Sequence, residues 1–271
     1  MNKDFIIIDP RPLEAFKDST FSGFKKRDVY NKLFRTVEEG KIHLTLDEIY
    51  KKKIKTNPII FDVGANQGQS IERFLNIFNK PTIHAFEPIS FEYESLKIKY
   101  NIKKKIFLNN IALGEKKKLG VLHVSKLTGN SSLIKLVKNT QWLKLRSKQV
   151  NVSEDKYIIR KEDVKIDSLD NYCAKNKIQK IDLLKIDTQG YEDKVLKGCK
   201  KMLSKNCISA IEVEVVFSDV YDKTNNIGDL EKFLIPNNFR LGAIKLHNNS
   251  LFGGNIFFAD LLYLNKSIVK I

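Results

Sequence analysis

Four carboxylates stand at or near the ends of short apolar runs: Asp62 in "IIFDVG", Glu87 in "IHAFEP", Asp187 in "LLKIDTQG" and Glu214 in "IEVEVVF". A carboxylate that ends a central strand faces a ligand crevice rather than bulk water. There it can take a proton or accept hydrogen bonds from hydroxyl and ammonium groups. Asp187 is the first candidate base and Glu214 the second. Glu212 shares a strand face with Glu214, and both are expensive to bury unless paired or used. Lys185, inside an apolar run, needs a partner that Asp187 or Glu214 can supply. Glu192 falls in a first helical turn, where the macrodipole favours an acid, so it reads equally well as a helix-start residue.

Asp62 leads into a glycine loop, "DVGANQGQS" at 62–70. Gly64 and Gly68 permit tight turning and close approach of backbone to a ligand. A dinucleotide fingerprint needs glycine where Asn66 stands, and a triphosphate loop needs the lysine that "GQS" lacks. Asp62 would also repel phosphates. S-adenosylmethionine, with a sulfonium and an ammonium and no phosphate, has the opposite needs. Asp62 would accept from its ammonium, and loop N–H groups would receive its carboxylate. Glu87 can accept both ribose hydroxyls, in NAD as in S-adenosylmethionine.

Positioning these residues requires a βαβαβ rhythm. "IIFDVG", "TIHAFEP" and "KIFLNNIALG" (105–114) read as strands, with helices over 70–79 and 91–101 between them. "LGVLHVS" (119–125) is an added strand, followed by a polar spacer at 126–156 and a strand–helix unit at 157–176. The rhythm resumes with a strand at 181–187, a helix at 191–203, a strand at 208–217 and a helix stopped near Pro236. Two closing strands, "FRLGAIKL" and "NIFFADLLYLN", can pair as an antiparallel hairpin. The expectation is a doubly wound, mostly parallel α/β sheet over residues 56–271, with an insertion near 119–168. Residues 1–55 form an N-terminal, partly helical extension, with helices in "RDVYNKLFRTVEEG" and "LDEIYKKKI".

The formal charge of +16 invites a nucleic-acid reading, but only 7 of the 48 basic residues are arginine. Arginine is the preferred bidentate phosphate and base ligand, so a lysine-rich solvated surface explains the charge better. Peripheral contact with anionic surfaces stays open. Cys173, Cys199 and Cys207, like the four histidines, lack metal-type spacing, so no metal is expected. The scattered cysteines fit a reducing compartment. The apolar stretch near Met1 is too short for a secretory signal, and a cytoplasmic address is expected.

"IIFDVGANQGQS", "IHAFEP", "NNIALG", "VKIDSLDNY" and "LLKIDTQGYEDKVLKG" together resemble the FkbM-type S-adenosylmethionine-dependent methyltransferases over about residues 58–217. "KIDTQGYE" is the more specific hallmark. The resemblance implies a class I (Rossmann-like) methyltransferase fold with a seven-stranded sheet. It also implies O-methyl transfer to a hydroxyl of a sugar, glycan or glycolipid-type acceptor. Asp62, Gly64 and Asn66 would hold the methionine part, Glu87 the ribose, and Asn110 to Ala112 the adenine side; Ala65, Gly68, Pro88 and Asp187 complete the cofactor set. Asp187, with Glu214 or His84, would lie near the transferred methyl. The spacer at 126–156, with Trp142, would meet the acceptor. RNA methylation using the basic surface, and a non-catalytic protein retaining the fold, are the competing readings.

Overall fold

The computed structural model describes residues 44–247 and 257–269. Contacts divide the chain into Met1–Thr45 and Leu46–Ile271, and the description concerns the second unit. Its helix α1 (Leu46–Lys53) buries Leu46, Ile49 and Tyr50 in the core. The helix expected in "LDEIYKKKI" is thus present, and its apolar side packs on sheet residues Ile60, Ile83 and Leu262. The helix expected over "RDVYNKLFRTVEEG" lies outside the described residues.

Seven strands form the main sheet: β1 (Ile59–Val63), β2 (Thr82–Phe86), β3 (Ile106–Asn109), β7 (Ile181–Ile186), β8 (Ile208–Val216), β9 (Phe239–Leu246) and β10 (Phe258–Asn265). Their order is β3-β2-β1-β7-β8-β10-β9. The strands from β3 to β8 pair in parallel, and β10 runs antiparallel to both β8 and β9. The expected doubly wound sheet with a closing antiparallel hairpin is therefore present. Both faces of β1 and β7 are buried, which is why these segments read as continuous apolar runs rather than alternating ones.

One face packs Ile60, Ile83, Leu183 and Leu262 against α1, α2 (Gln69–Ile77) and α3 (Ser90–Tyr100). The other packs Phe61, Val63, Leu184, Ile186 and Val213 against α5 (Leu169–Lys175), α6 (Glu192–Lys197), α7 (Lys200–Ser204) and α8 (Ile227–Leu234). The insertion forms a second sheet of β4 (Ala112–Leu113), β6 (Ile158–Asp167) and β5 (Lys118–Ser125), together with α4 (Gln141–Gln149).

Two expected elements are broken in the structure. The strand over 105–114 is β3 followed by β4, in different sheets. The chain leaves the main sheet at Asn110, whose side-chain amide donates to the carbonyls of Glu87 and Pro88. The helix over 191–203 is α6 followed by α7. Gly198 sits so close to the Gly114 backbone that a Cβ would lie 2.0 Å from its carbonyl oxygen. The helix restarts under Asp170, whose carboxylate accepts from the backbone N–H groups of Lys201 and Met202. Among the described residues no helix is long and apolar enough to cross a membrane.

Candidate active site

A crevice of about 890 Å³, including its open mouth, lies over the carboxyl ends of β1, β2 and β7. This is where the strand order reverses, the general ligand position in open α/β sheets. Gly64 has φ +90°, and a Cβ there would lie 1.9 Å from the carbonyl oxygen of Asp187. Only glycine lets the first loop approach the end of β7 this closely.

The amides of the loop are used differently from expectation. Those of Gly64 and Ala65 donate to the Phe86 carbonyl, and that of Asn66 donates to Glu87 Oε2 at 2.6 Å. The end of β2 thus saturates the amides expected to receive a ligand carboxylate. Gln69 and Ser70, in the first turn of α2, line the crevice instead, at the positive end of the helix. Asn66, Ala65 and Gly64 still form its wall. Gly68, with φ +84°, shapes the turn against Tyr100.

Glu87 is buried and lines the crevice, with Oε2 held by Asn66 N–H and Oε1 by Ile89 N–H at 2.7 Å. Burial pushes its pKa up to about 8, against the two backbone bonds. Each oxygen keeps a lone pair for an incoming hydroxyl. Pro88 and Ala112 line the same end, whereas Asn110 supports the loop backbone from behind. The insertion closes this side: Asn66 Nδ2 donates to Thr128 Oγ1, which donates to Glu92.

The charged residues form two rows across one sheet face. In the inner row Asp62 is in register with Lys185, and Lys185 with Glu212. Asp62 is fully buried and neither carboxylate oxygen has a hydrogen-bond partner. Burial raises its pKa to about 6, opposed by Lys185, whose Nζ stands 3.9 Å away. Lys185 finds its closer partner in Asp187 Oδ2, at 3.0 Å. Burial disfavours its charge, but Asp187 and Asp62 outweigh that and push its pKa up. Glu212 accepts from Arg73 at 2.8 and 3.1 Å and from the Tyr50 hydroxyl.

In the outer row, at the rim, are Asp187, Glu214 and Asp260, the last two directly cross-strand. Asp260 Oδ2 is engaged by Lys245 and His247, both at 3.2 Å. Although burial acts against it, these partners hold the Asp260 pKa down to about 2. Glu214 has no such cation. Burial, then Asp187 and Asp260, push its pKa well above the carboxylate range.

Two expectations need correction, and a third residue, Glu192, keeps its helix-start reading. His84 is not beside Asp187. Its neighbour Ala85 shares the face of Asp62, so His84 points to the opposite face, stacked on Phe107 with Nδ1 2.9 Å from the Tyr172 hydroxyl. Trp142 offers no acceptor platform, since it is buried among Tyr157, Tyr221 and Phe258. From the spacer, Thr128, Gly129, Ser131 and Leu133 reach the crevice instead. Glu192 folds back on its own turn, accepting from Thr188 N–H, Thr188 Oγ1 and Gly190 N–H. Sequence reasoning passed over Gln189, whose amide touches both Asp187 and Glu214. Its place inside "KIDTQGYE" was the one signal available.

Strand order, the crevice at the switch point and the carboxylates around it define a class I, Rossmann-like cofactor-binding domain. The family described as Methyltransferase FkbM domain matches residues 62–241, and the chain belongs to that family. The 2-O-methyltransferase NoeI of Sinorhizobium fredii (strain NBRC 101917 / NGR234) is 25% identical over 153 residues, 56% of this chain and 61% of that protein. The crystal structure of methyltransferase FkbM from Methylobacillus flagellatus KT superposes with a TM-score of 0.49 at 13% identity, covering 94% of this chain and 59% of the other. Aeropyrum pernix fibrillarin with bound S-adenosyl-L-methionine gives 0.43 at 12% identity, over 86% of this chain and 74% of that one. The chain thus spans about three fifths of the first two relatives.

Proposed function

We propose that this protein is an S-adenosylmethionine-dependent O-methyltransferase acting on a hydroxyl of a sugar or glycan-type acceptor. The observation that carries this reading is the acidic surround of the crevice. Glu87 and Asp187 line it, Asp62 lies beneath without a hydrogen bond and 3.9 Å from Lys185 Nζ, and among the described lining residues Lys185 is the one basic side chain, tied more closely to Asp187. Such a site disfavours a pyrophosphate and suits a ligand with positive charge and no phosphate. Glu87 would accept the ribose hydroxyls, Asp62 would compensate the cationic methionine end, and the start of α2 would face the ligand's carboxylate. Family membership and the resemblance to a 2-O-methyltransferase support an oxygen acceptor. Trp142 is buried and offers no surface for a nucleic-acid base to stack on.

When bound, S-adenosylmethionine supplies a methyl group on a sulfonium, with a neutral thioether as leaving group. The protein must align the acceptor oxygen and take its proton. Burial and the neighbouring Asp187 raise the pKa of Glu214, and of the two carboxylates it is Asp187 that lines the crevice, so Asp187 is the base in this reading. Lys185 and Gln189 fix one oxygen of Asp187 each. Calorimetry should show binding of S-adenosylmethionine and S-adenosylhomocysteine and none of NAD; no binding of either adenosyl ligand would sink the reading. With labelled methyl donor and a panel of sugar acceptors, Asp187→Asn should lower turnover about 10²–10⁴-fold, the usual worth of a general base. Its S-adenosylmethionine affinity should stay within about threefold, since Asn keeps the shape of Asp187 and one of its two acceptors.

A further inference from the structure

We infer that Gln189 is a positioning residue: its side-chain amide holds Asp187 and Glu214 side by side, and Tyr221 fixes which end of that amide faces them. The inference rests on the function proposed above. Gln189 is buried, with φ +56°, and its backbone carbonyl accepts from Ser132 Oγ at 2.6 Å. Nε2 donates to Asp187 Oδ1 at 2.9 Å and to Glu214 Oε2 at 2.5 Å. Its two hydrogens therefore serve two carboxylates. Oε1 accepts from the Tyr221 hydroxyl at 2.6 Å. The reversed amide would put an oxygen against both carboxylates, so the network admits one orientation.

Tyr221 is itself held firmly. It is fully buried, its ring packs beside Trp142 of the insertion, and burial with the nearby Glu214 keeps its hydroxyl protonated. The insertion core thereby sets the geometry of the rim carboxylates, although Trp142 never reaches the crevice. Gln189 is the neutral donor between two groups that would otherwise repel across a short gap. Glu214 also faces Asp260, which is held by Lys245 and His247, and it feels Glu192 and Lys185 from the neighbouring elements. Of all these, Gln189 alone donates a hydrogen bond to it among the described residues.

The test compares Gln189→Met, which keeps length and excludes water but has no donor, with Tyr221→Phe, which keeps the ring. Carbon-13 carboxyl resonances of the ligand-free protein follow Glu214, assigned by its loss in Glu214→Gln. Without its donor, the charged form of Glu214 loses a bond, so its titration should move up by about 1 to 2 pH units in Gln189→Met. Tyr221→Phe should move it in the same direction by less. S-adenosylhomocysteine affinity should stay close to wild type, the melting temperature should fall by a few degrees because buried groups lose their partners, and turnover should fall about 10–100-fold with the donor KM unchanged. An unmoved Glu214 titration in a folded Gln189→Met variant overturns the inference; if that variant does not fold, Tyr221→Phe decides on the same criterion. Because the titration needs no ligand, a failure of S-adenosylmethionine to bind would count against the proposed function and leave this result standing.

Discussion

Glu212 and Glu214 stand two residues apart on one face of β8, and their partners make them opposites. Glu212 meets a guanidinium twice and a phenol once, deep beneath α1 and α2. Arg73 is shared in turn with Asp47 at the start of α1. This is a closed structural network that ties two helices to the sheet. Glu214, one pleat nearer the crevice, has a neutral amide as its hydrogen-bond partner and three like charges, Asp187, Asp260 and Glu192, against the single opposing charge of Lys185. Identical residue types therefore split by electrostatic balance: the compensated carboxylate holds the fold together, and the uncompensated one is available for chemistry.

The largest expected effect tests the structural side of that contrast. Glu212→Ala leaves the half-buried Arg73 with Asp47 alone and the buried Tyr50 hydroxyl without its acceptor, and should lower folding stability by about 3 kcal/mol, the low end of the usual cost of breaking a buried pair. Urea denaturation measures it. Glu214→Gln should change stability far less while depressing turnover, because among the described residues no ion pair holds Glu214 to the fold and its one hydrogen-bond donor, Gln189, also holds Asp187. A comparable stability loss in both variants would erase the distinction between the rows.

The sequence made the rows visible only in part. Carboxylates ending apolar runs are conspicuous, so Asp62, Glu87, Asp187 and Glu214 were legible, as was the alternation of strands and helices. Partners are not legible, because they come from far along the chain. Arg73 reaches Glu212 across 139 positions, and Tyr221 reaches Gln189 across 32. His84 was misplaced for a related reason. Its side of the sheet follows from the pairing of Ala85 with Asp62, a tertiary register that local pattern does not carry. Trp142 sits in a lysine-rich spacer whose apolar residues find Tyr157, Tyr221 and Phe258 only after folding.

Asp62 sharpens the contrast from the other direction. It belongs to the inner row yet lacks hydrogen bonds, so its charge is a burden until a ligand compensates it. Burial lifts its pKa in the fold to about 6 from the ordinary 3.8. A raised carboxyl pKa means stability is lost as pH rises from 3.8 through about 6. The full difference amounts to at most about 3 kcal/mol at neutral pH. Asp62→Asn should recover much of this, raising stability at pH 7 and flattening its dependence between pH 4 and 6, while weakening S-adenosylmethionine binding. Thermal melts across that range, paired with calorimetry, check both parts. Lower stability together with unchanged affinity would make Asp62 a plain structural residue.

The smallest effect at neutral pH concerns His84, which lies outside both rows. Burial pushes its pKa down to about 4, so the ring is neutral in the fold but takes a proton in the unfolded chain below about 6.5. A depressed pKa contributes stability present above 6.5 and lost as pH falls through 4. His84→Phe keeps the stack on Phe107 and loses the bond to the Tyr172 hydroxyl. At pH 7 it should cost only about 1 kcal/mol. Toward pH 4 the variant should lose less stability than wild type, so the two curves converge or cross. Donor affinity and turnover should match wild type, because the ring is on the far face of the sheet from Asp62 and Lys185. A loss of turnover at full donor affinity would return His84 to the site and show that the face assignment misleads.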